Sequence, residues 1–158
     1  MGRKEIDQLL IRAANTFLIG EGPTIAIISA FLPHLDKDDN LKRHALLQKR
    51  IAEYDGLYLF DLLGSWDYSD TGKLLEKSVV VSGLTLSQIL KIVREFEQKA
   101  FIMKDWDGTV SLNFENFREN DRKKVFIQPK ELESLKIVSD PFDKNSRIVS
   151  FRYPGLAG

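Results

Sequence analysis

The sequence predicts an α+β fold: a two-layer α/β sandwich with a ferredoxin-like βαββαβ core, an added N-terminal helix and a C-terminal strand extension. Strand-like and helical patterns follow one another between residues 24 and 117 in the order strand, helix, strand, strand, helix, strand. The length of 158 residues fits one domain with a substantial core. We therefore expect a single domain over 1–158, with an N-terminal helix (1–20), an α/β core (24–117) and a mixed extension (118–158).

The N-terminal helix and the first strand are separated by a clear turn. Residues 3–17 carry apolar side chains at helical spacing, and Gly20 and Pro23 end that helix. The run TIAIISAF (24–31) is continuous and rich in β-branched residues, which is typical of a strand buried on both faces. Pro33 closes it.

The second helix is predicted to start near Asp36–Asp39 and to reach Tyr54, because apolar side chains recur along one side of this segment. An Asp-Gly pair then provides a helix stop. The segment LYLFDLL (57–63) predicts the next strand, and GSWDYSDTGK (64–73) predicts a polar loop.

The third helix has a start signal with a known mechanism. After the strand predicted at 76–82, Thr85 and Gln88 form a T-x-x-Q capping box ahead of an amphipathic segment. Residues 99–116 then alternate around an Asp-Gly pair at 107–108, which is typical of a β-hairpin.

The C-terminal extension is less regular than the core. We expect it to contain a charged connector, a short strand, a helix that begins with proline, and a final alternating strand. In chain order these segments are 118–124, 125–128, 129–135 and 146–153.

The composition excludes several classes of function. Lys plus Arg and Asp plus Glu number 23 each, so the formal net charge is zero, which argues against a duplex-DNA binder. The chain has no cysteine, which excludes disulfides, thiolate metal sites and a cysteine nucleophile. In the first residues, charged side chains are interspersed among apolar ones, and this pattern is typical neither of a signal peptide nor of a membrane span. We expect a cytoplasmic protein without a membrane partner.

The stretch SAFLPHLDKDDNLKRH (29–44) resembles a calcium loop only superficially. Asp36, Asp38 and Asn40 would occupy the first, third and fifth ligand positions. The sixth position, however, is Leu41 where a glycine is needed, and the twelfth is Leu47 where a bidentate glutamate is needed.

A transition-metal site is no better supported in this stretch. His34 and His44 lie ten residues apart across a helix start, so no local geometry brings their rings together. Acids at the start of a helix are typical of capping and of favourable interaction with the helix dipole. We therefore predict no metal ion and no cofactor.

An anion site is the functional interpretation that remains for this stretch. Asn40, Arg43 and His44 are spaced i, i+3 and i+4, so they share one helix face close to unpaired backbone amides. Such a corner can bind phosphate or carboxylate. The alternative is that Arg43 pairs with Asp36 or Asp39 and serves the fold alone.

Other side chains extend the candidate site. Trp66 and Ser78 are candidate ligand-binding residues, although Trp66 could equally pack under its loop. If the protein were an enzyme, Glu76, His34 and His44 would be the candidate acid–base groups.

The middle of the chain, about residues 24–104, resembles a bacterial and phage-borne domain of unknown function, number three-two-nine-three. The residues that carry this resemblance are Ala30, Phe31, Pro33, Asn40, Arg43, Leu47, Gly64, the segment 76–83, Phe96, Gln98 and Ala100. The resemblance supports the fold and the placement of Asn40 and Arg43, and it implies no reaction.

Three positions depart from the pattern of that family. Leu32 stands where the family tends to have asparagine, Leu74 where it has tryptophan, and Glu97 where it has glycine. These departures fall at polar or conformationally special positions.

The function expected from the sequence is a non-enzymatic accessory binding protein of a bacterium or phage. It would bind a small, nucleotide-like anionic ligand or a partner protein at the corner between the strand end and the helix start. Two alternatives stay open: an enzyme acting on a nucleotide or nucleic acid, and an assembly protein that forms homo-oligomers.

Overall fold

A computed structural model describes residues 2–68, 72–116, 121–127 and 135–152. These ranges contain three helices and one eight-stranded mixed sheet, which confirms the α+β class. The helices are α1 (Arg3–Leu18), α2 (Lys37–Glu53) and α3 (Leu86–Glu95). The strands are β1 (Ile25–Ser29), β2 (Leu57–Tyr68), β3 (Gly72–Ser82), β4 (Ala100–Lys104), β5 (Val110–Asn116), β6 (Asp121–Ile127), β7 (Lys136–Ser139) and β8 (Arg147–Arg152).

The strands lie side by side in the order β6-β5-β4-β1-β3-β2-β8-β7. Neighbours are antiparallel except β2 and β8, which are parallel. The C-terminal extension therefore joins the sheet at both ends, because β6 extends it beyond β5 while β7 and β8 extend it beyond β2.

Helices cover both faces of the sheet. On one face, Leu47 of α2 and Ile92 of α3 pack in one apolar cluster with Val79. On the other face, Leu18 of α1 packs in a second cluster that contains Val80. Since successive strand residues point to opposite faces, α1 forms a layer of its own across the sheet from α2 and α3. The predicted two-layer arrangement thus gains a third layer.

The predicted helix starts are confirmed in atomic detail. The carboxylate of Asp36 caps α2 by accepting a hydrogen bond of 2.8 Å from the amide of Asp39. Thr85 and Gln88 form the reciprocal capping box at the start of α3. Both caps satisfy amide groups that a helix end leaves unpaired.

The predicted loop at 64–73 is wrong over most of its length. Residues 64–68 continue β2 and residues 72–73 begin β3, with Gly64 opposite Glu76 and Tyr68 opposite Gly72. Residues 69–71 lie outside the described residues. Cross-strand pairing, which depends on the partner strand, holds this polar segment in extended conformation.

The predicted charged connector at 118–124 is also wrong in part, because residues 121–124 belong to β6 and pair with β5. The hairpin around Asp107 and the final strand are confirmed as β4–β5 and β8. The predicted helix at 129–135 lies outside the described residues except for Leu135. Within the described part of the chain, no helix has both the length and the apolarity needed to cross a bilayer.

Candidate functional site

The strand-end corner consists of the loop 30–36 after β1, the first turns of α2, the end of α3, and the turn 140–146 between β7 and β8. Aromatic rings connect its parts: the centroids of Phe31 and Phe142 lie 5.0 Å apart in an edge-to-face contact. The rings of Phe31 and His44 lie 6.3 Å apart, also edge to face. The corner thus joins the region resembling the known family to the C-terminal extension.

Asn40 fastens the loop of the corner. Its side-chain oxygen accepts a hydrogen bond of 2.9 Å from the amide of Leu32, and its side-chain nitrogen donates to the carbonyl oxygens of Leu32 (3.1 Å) and Leu35 (3.4 Å). Asn40 is buried, whereas Pro33 and His34 between these anchor points are exposed. One buried amide therefore sets the conformation of an exposed loop.

Arg43 joins three elements at the corner. Its Nε donates a 2.7 Å hydrogen bond to the carbonyl oxygen of Ala30, and its Nη2 donates a 2.6 Å bond to that of Phe96. The guanidinium also lies 5.6 Å from the centroid of the Phe96 ring. Among the described residues it makes no ion pair, so neither Asp36 nor Asp39 is its partner.

Two further polar side chains hold the backbone between β1 and the loop. The side-chain nitrogen Nε2 of Gln98 donates to the carbonyl oxygens of Phe31 (2.9 Å) and Phe96 (3.1 Å). The hydroxyl of Ser29 accepts from the amide of Phe31 and donates to the carbonyl oxygen of Lys77, both at 3.0 Å. These contacts connect the backbone of the corner to side chains from β1 and from the segment after α3.

His44 faces Asp61 across the interface between α2 and β2. Its Nε2 lies 3.2 Å from Oδ1 of Asp61 and 3.4 Å from Nε2 of Gln48. Because a carboxylate only accepts hydrogen bonds, Nε2 carries the proton in this pair. Nδ1 of His44 is buried and has no hydrogen-bond partner among the described residues.

The carboxylate of Asp61 contacts three side chains, of which His44 is the first. Its Oδ1 also accepts a hydrogen bond from the hydroxyl of Tyr58, and its Oδ2 lies 3.6 Å from Nζ of Lys77. Burial raises the pKa of Asp61, but the hydrogen bond and charge of His44, the Tyr58 hydroxyl and the Lys77 charge together lower it below its ordinary value. Burial, reinforced by Asp61, raises the pKa of Tyr58. Asp61 is thus held as a carboxylate.

Lys77 connects this group to the C-terminal extension. Its Nζ lies 2.9 Å from Oδ2 of Asp140, which is 3 % exposed and also accepts from the amide of Phe142 at 2.8 Å. Burial lowers the pKa of Lys77, but the hydrogen bond and charge of Asp140, with Asp61, outweigh burial and raise it. The lysine therefore bridges two carboxylates as a cation.

The predicted site is brought together only in part: Asn40, Arg43 and His44 lie at the strand-end corner, whereas Glu76 and Ser78 do not. Glu76 and Ser78 alternate with Lys77 on β3 and share the face of Val80, which is the α1 side of the sheet, whereas His44 lies on the α2 side. His34 is exposed on the loop. For Trp66 the structure describes the backbone, which pairs with Leu74.

The described residues contain no group of three His, Asp or Glu side chains placed to hold a metal ion. The polar group at the corner is instead a chain of contacts, His44–Asp61–Lys77–Asp140, made of one hydrogen bond and two ion pairs, which we call the ion-pair network. Sequence reasoning missed the last three of these residues. A single charge inside an apolar strand, such as Asp61 in LYLFDLL, could have indicated a buried and partnered group.

The family model of a protein of unknown function (DUF3293) matches residues 32–101. The match confirms the resemblance that the residues of this region indicate. The DUF3293 match includes Asn40, Arg43, His44, Asp61 and Lys77, so most of the corner lies inside it. Asp140 lies outside the DUF3293 match and completes the ion-pair network from the C-terminal extension. No curated protein matches the chain.

Proposed function

We propose that the chain is a non-enzymatic accessory binding protein of a bacterium or phage, located in the cytoplasm, and that a partner protein docks at the strand-end corner. One observation carries the proposal: the buried side chain of Asn40 hydrogen-bonds the backbone on both sides of Pro33 and His34, which are exposed on the loop. A loop that is already ordered loses little conformational entropy on binding, which favours recognition.

The core of this proposed binding domain is a ferredoxin-like unit. Its support is the order β4-β1-β3-β2 of the four central strands, with β1 and β3 antiparallel in the middle. The helices α2 and α3 share one face of these strands. This topology brings the end of β1 and the start of α2 to one corner of the sheet.

A protein partner is better supported than a small anion. Nε and Nη2 of Arg43 already donate to backbone carbonyl oxygens, so binding an anion there would break the contacts that build the corner. Asp38 and Asp39 are exposed beside the loop and repel anions. A basic segment of a partner protein would complement these carboxylates.

An enzyme is less well supported because the proposed acid–base groups are separated. Glu76 and His44 lie on opposite faces of the sheet, and Nε2 of His44 is engaged by Asp61. A general base and its substrate must meet within hydrogen-bond reach, and this arrangement does not bring the candidates together.

Displayed-peptide selection tests the proposal, because it requires no purified partner protein. Peptides selected on the immobilised protein are expected to be basic and to bind the double variant Asp38→Asn/Asp39→Asn about tenfold more weakly, measured by fluorescence anisotropy. The control Glu5→Gln/Glu21→Gln removes two exposed acids elsewhere and should bind as the wild type does. Equal affinity for all three proteins, or a selection without basic peptides, would overturn the proposal.

A thermal-shift screen separates this proposal from the two ligand-based alternatives. A rise in melting temperature with nucleotides that is abolished in Arg43→Met would support a small anion at the corner, contrary to the proposal. A rise that needs a divalent metal as well would support an enzyme acting on nucleotides. We expect neither at the corner.

Self-association is a second candidate function, favoured by the exposure of the edge strand β6. Val125 and Phe126 of this strand are 49 % and 59 % exposed. An edge strand that exposes apolar side chains can pair with the same strand of another copy. Light scattering would then show a concentration-dependent dimer that Phe126→Lys dissociates and that Leu57→Lys, at another exposed apolar residue, leaves intact. A wild type that stays monomeric at high concentration would exclude this candidate.

A further inference from the structure

A shallow surface region of about 1030 Å³, which we call the α1 groove, lies against α1. Among the described residues, its lining comes from one side of this helix, including Arg3, Lys4, Gln8, Arg12 and Asn15. Because α1 covers the opposite face of the sheet from α2 and α3, this groove is separate from the strand-end corner.

The cations of the groove are not neutralised by ion pairs within the described part of the chain. Arg3, Lys4 and Arg12 are exposed and make no ion pair with any described residue. In contrast, Arg50 and Arg94 pair with glutamates. In a chain with zero net charge, three unpaired cations on one helix side produce a locally positive surface.

The acid in the lining does not neutralise this surface. Asp7 accepts two hydrogen bonds from Arg147, at 3.0 Å from Nε and 2.9 Å from Nη2. This bidentate pair has zero net charge and occupies the carboxylate, while Arg3 acts on Asp7 through its charge alone. The positive charges of Lys4 and Arg12 therefore remain available to a ligand.

The spacing of the groove residues fits an elongated anion. Lys4, Gln8 and Arg12 are four residues apart in turn and form one row on the helix surface. With a rise of 1.5 Å per residue, the two cations lie about 12 Å apart along the helix axis. Gln8 stands between them as a neutral hydrogen-bonding group, and Asn15 offers a second one a turn further on.

We propose that the α1 groove binds a ligand that carries a chain of phosphate groups. Repeated negative charges along a linear ligand would meet Lys4 and Arg12 at the two ends of the row, with Gln8 between them. Both an inorganic polyphosphate and the backbone of a single-stranded nucleic acid present this chemistry. The size of the patch, three cations, is small for a duplex-DNA surface.

Binding of two probes, tripolyphosphate by calorimetry and a short labelled single-stranded oligonucleotide by anisotropy, tests the proposal. The wild type should bind at least one probe, with an affinity that falls as salt rises. The variant Lys4→Gln/Arg12→Gln should bind at least about tenfold more weakly, because two phosphate contacts are lost. The control Lys42→Gln/Lys49→Gln removes the same charge from exposed residues of α2 and should stay within about twofold of the wild type.

The outcomes separate the source of the phosphate and decide the proposal. Binding of tripolyphosphate, with or without the oligonucleotide, indicates recognition of the phosphate chain itself, and binding of the oligonucleotide alone indicates a nucleic acid; each supports the proposal. No binding of either probe, or equal loss in the control variant, overturns it. Because Asp38 and Asp39 lie on the far side of the sheet, failure here leaves the test of the corner unaffected.

Discussion

Arg43 of α2 completes the end of α3: its Nη2 donates a 2.6 Å hydrogen bond to the carbonyl oxygen of Phe96, the C-terminal cap residue of that helix. The carbonyl groups at a helix end lack partners within the helix and carry partial negative charge. A guanidinium from a neighbouring helix donates a hydrogen bond to one of them, and its positive charge interacts favourably with the dipole of α3. The same side chain holds the carbonyl oxygen of Ala30, so one residue fixes the end of β1 and the end of α3 together.

Replacing Arg43 by methionine is therefore expected to lower the free energy of unfolding by about 3 kcal/mol, because two charge-assisted hydrogen bonds are lost. Arg43→Lys should recover less than half of this, since an ammonium cannot reproduce the fork of the guanidinium. Urea denaturation measures both. The adjacent exposed residue provides the control, and Lys42→Met should change stability by less than about 0.5 kcal/mol. A loss of similar size in both variants would contradict the role of Arg43.

Glu97, one of the departures from the family pattern, has a backbone conformation that favours glycine. Glu97 follows the cap of α3 and has a φ of 57°, in the left-handed region. The backbone N–H of the next residue, Gln98, donates a 2.9 Å hydrogen bond to the carbonyl oxygen of Val93. This is the helix-end geometry that favours glycine, the residue that the family has here. Glu97→Gly should raise the free energy of unfolding by about 1 kcal/mol.

The matched control is Glu97→Ala, which removes the carboxylate but keeps a Cβ in the left-handed region. Its urea midpoint should stay near that of the wild type. Stabilisation by alanine as large as that by glycine would show that the carboxylate, not the backbone, is unfavourable at this position.

The ion pair between Lys77 and Asp140 should hold the C-terminal extension to the core. Asp140→Asn leaves the partly buried cation of Lys77 with one carboxylate partner fewer and is expected to cost about 3 kcal/mol in the free energy of unfolding. In the double variant Lys77→Met/Asp140→Asn, the loss should be smaller than the sum of the two single losses. Additive losses in this double-mutant cycle would mean that the two side chains do not interact.

The sequence predicts the features that depend on neighbours along the chain. Both helix starts follow from side chains three residues apart, Asp36 with Asp39 and Thr85 with Gln88, and both are found as expected. The predicted order of six elements is likewise found from β1 to β4, and β5 follows as the second strand of the predicted hairpin, because apolar periodicity is a local signal.

The features that depend on contacts between residues far apart along the chain could not be predicted from the sequence. The polar segment after residue 63 becomes a strand because β3 pairs with it, and β8 lies parallel to it from the far end of the chain. Arg43 bonds a carbonyl 53 residues away, which no spacing within α2 reveals. The same holds for Asp140, whose partner Lys77 belongs to a different part of the sheet.

Stability should fall in acid in a way that depends on Asp61. The pKa of Asp61 in the folded protein lies below its ordinary value of 3.8. The unfolded chain therefore takes up this proton first as the pH falls. The stabilisation that ionised Asp61 contributes is complete above its ordinary pKa and is lost as the pH falls through its lower pKa in the folded protein. Asp61→Asn should remove this part of the pH dependence, measured as unfolding free energy in urea at a series of pH values.

Asp55→Asn is the control for Asp61, because it removes an acid at the end of α2 that lies outside the ion-pair network. It should keep the acid-dependent slope of the wild type. If Asp61→Asn also kept that slope, the carboxylate of Asp61 would not be stabilised by His44, Tyr58 and Lys77 in the folded state.

Amide hydrogen exchange at Leu32 and Leu35 tests the central claim, a corner loop that is ordered before any partner binds. The Leu32 amide donates to Asn40 at 2.9 Å, and the Leu35 amide donates to the carbonyl oxygen of Leu32 at 3.2 Å. Both should exchange slowly in the unliganded wild type, and Asn40→Ala should remove that protection while the strand amides stay protected. Exchange of both amides at unprotected rates in the wild type would contradict a preformed loop and, with it, the proposed binding corner.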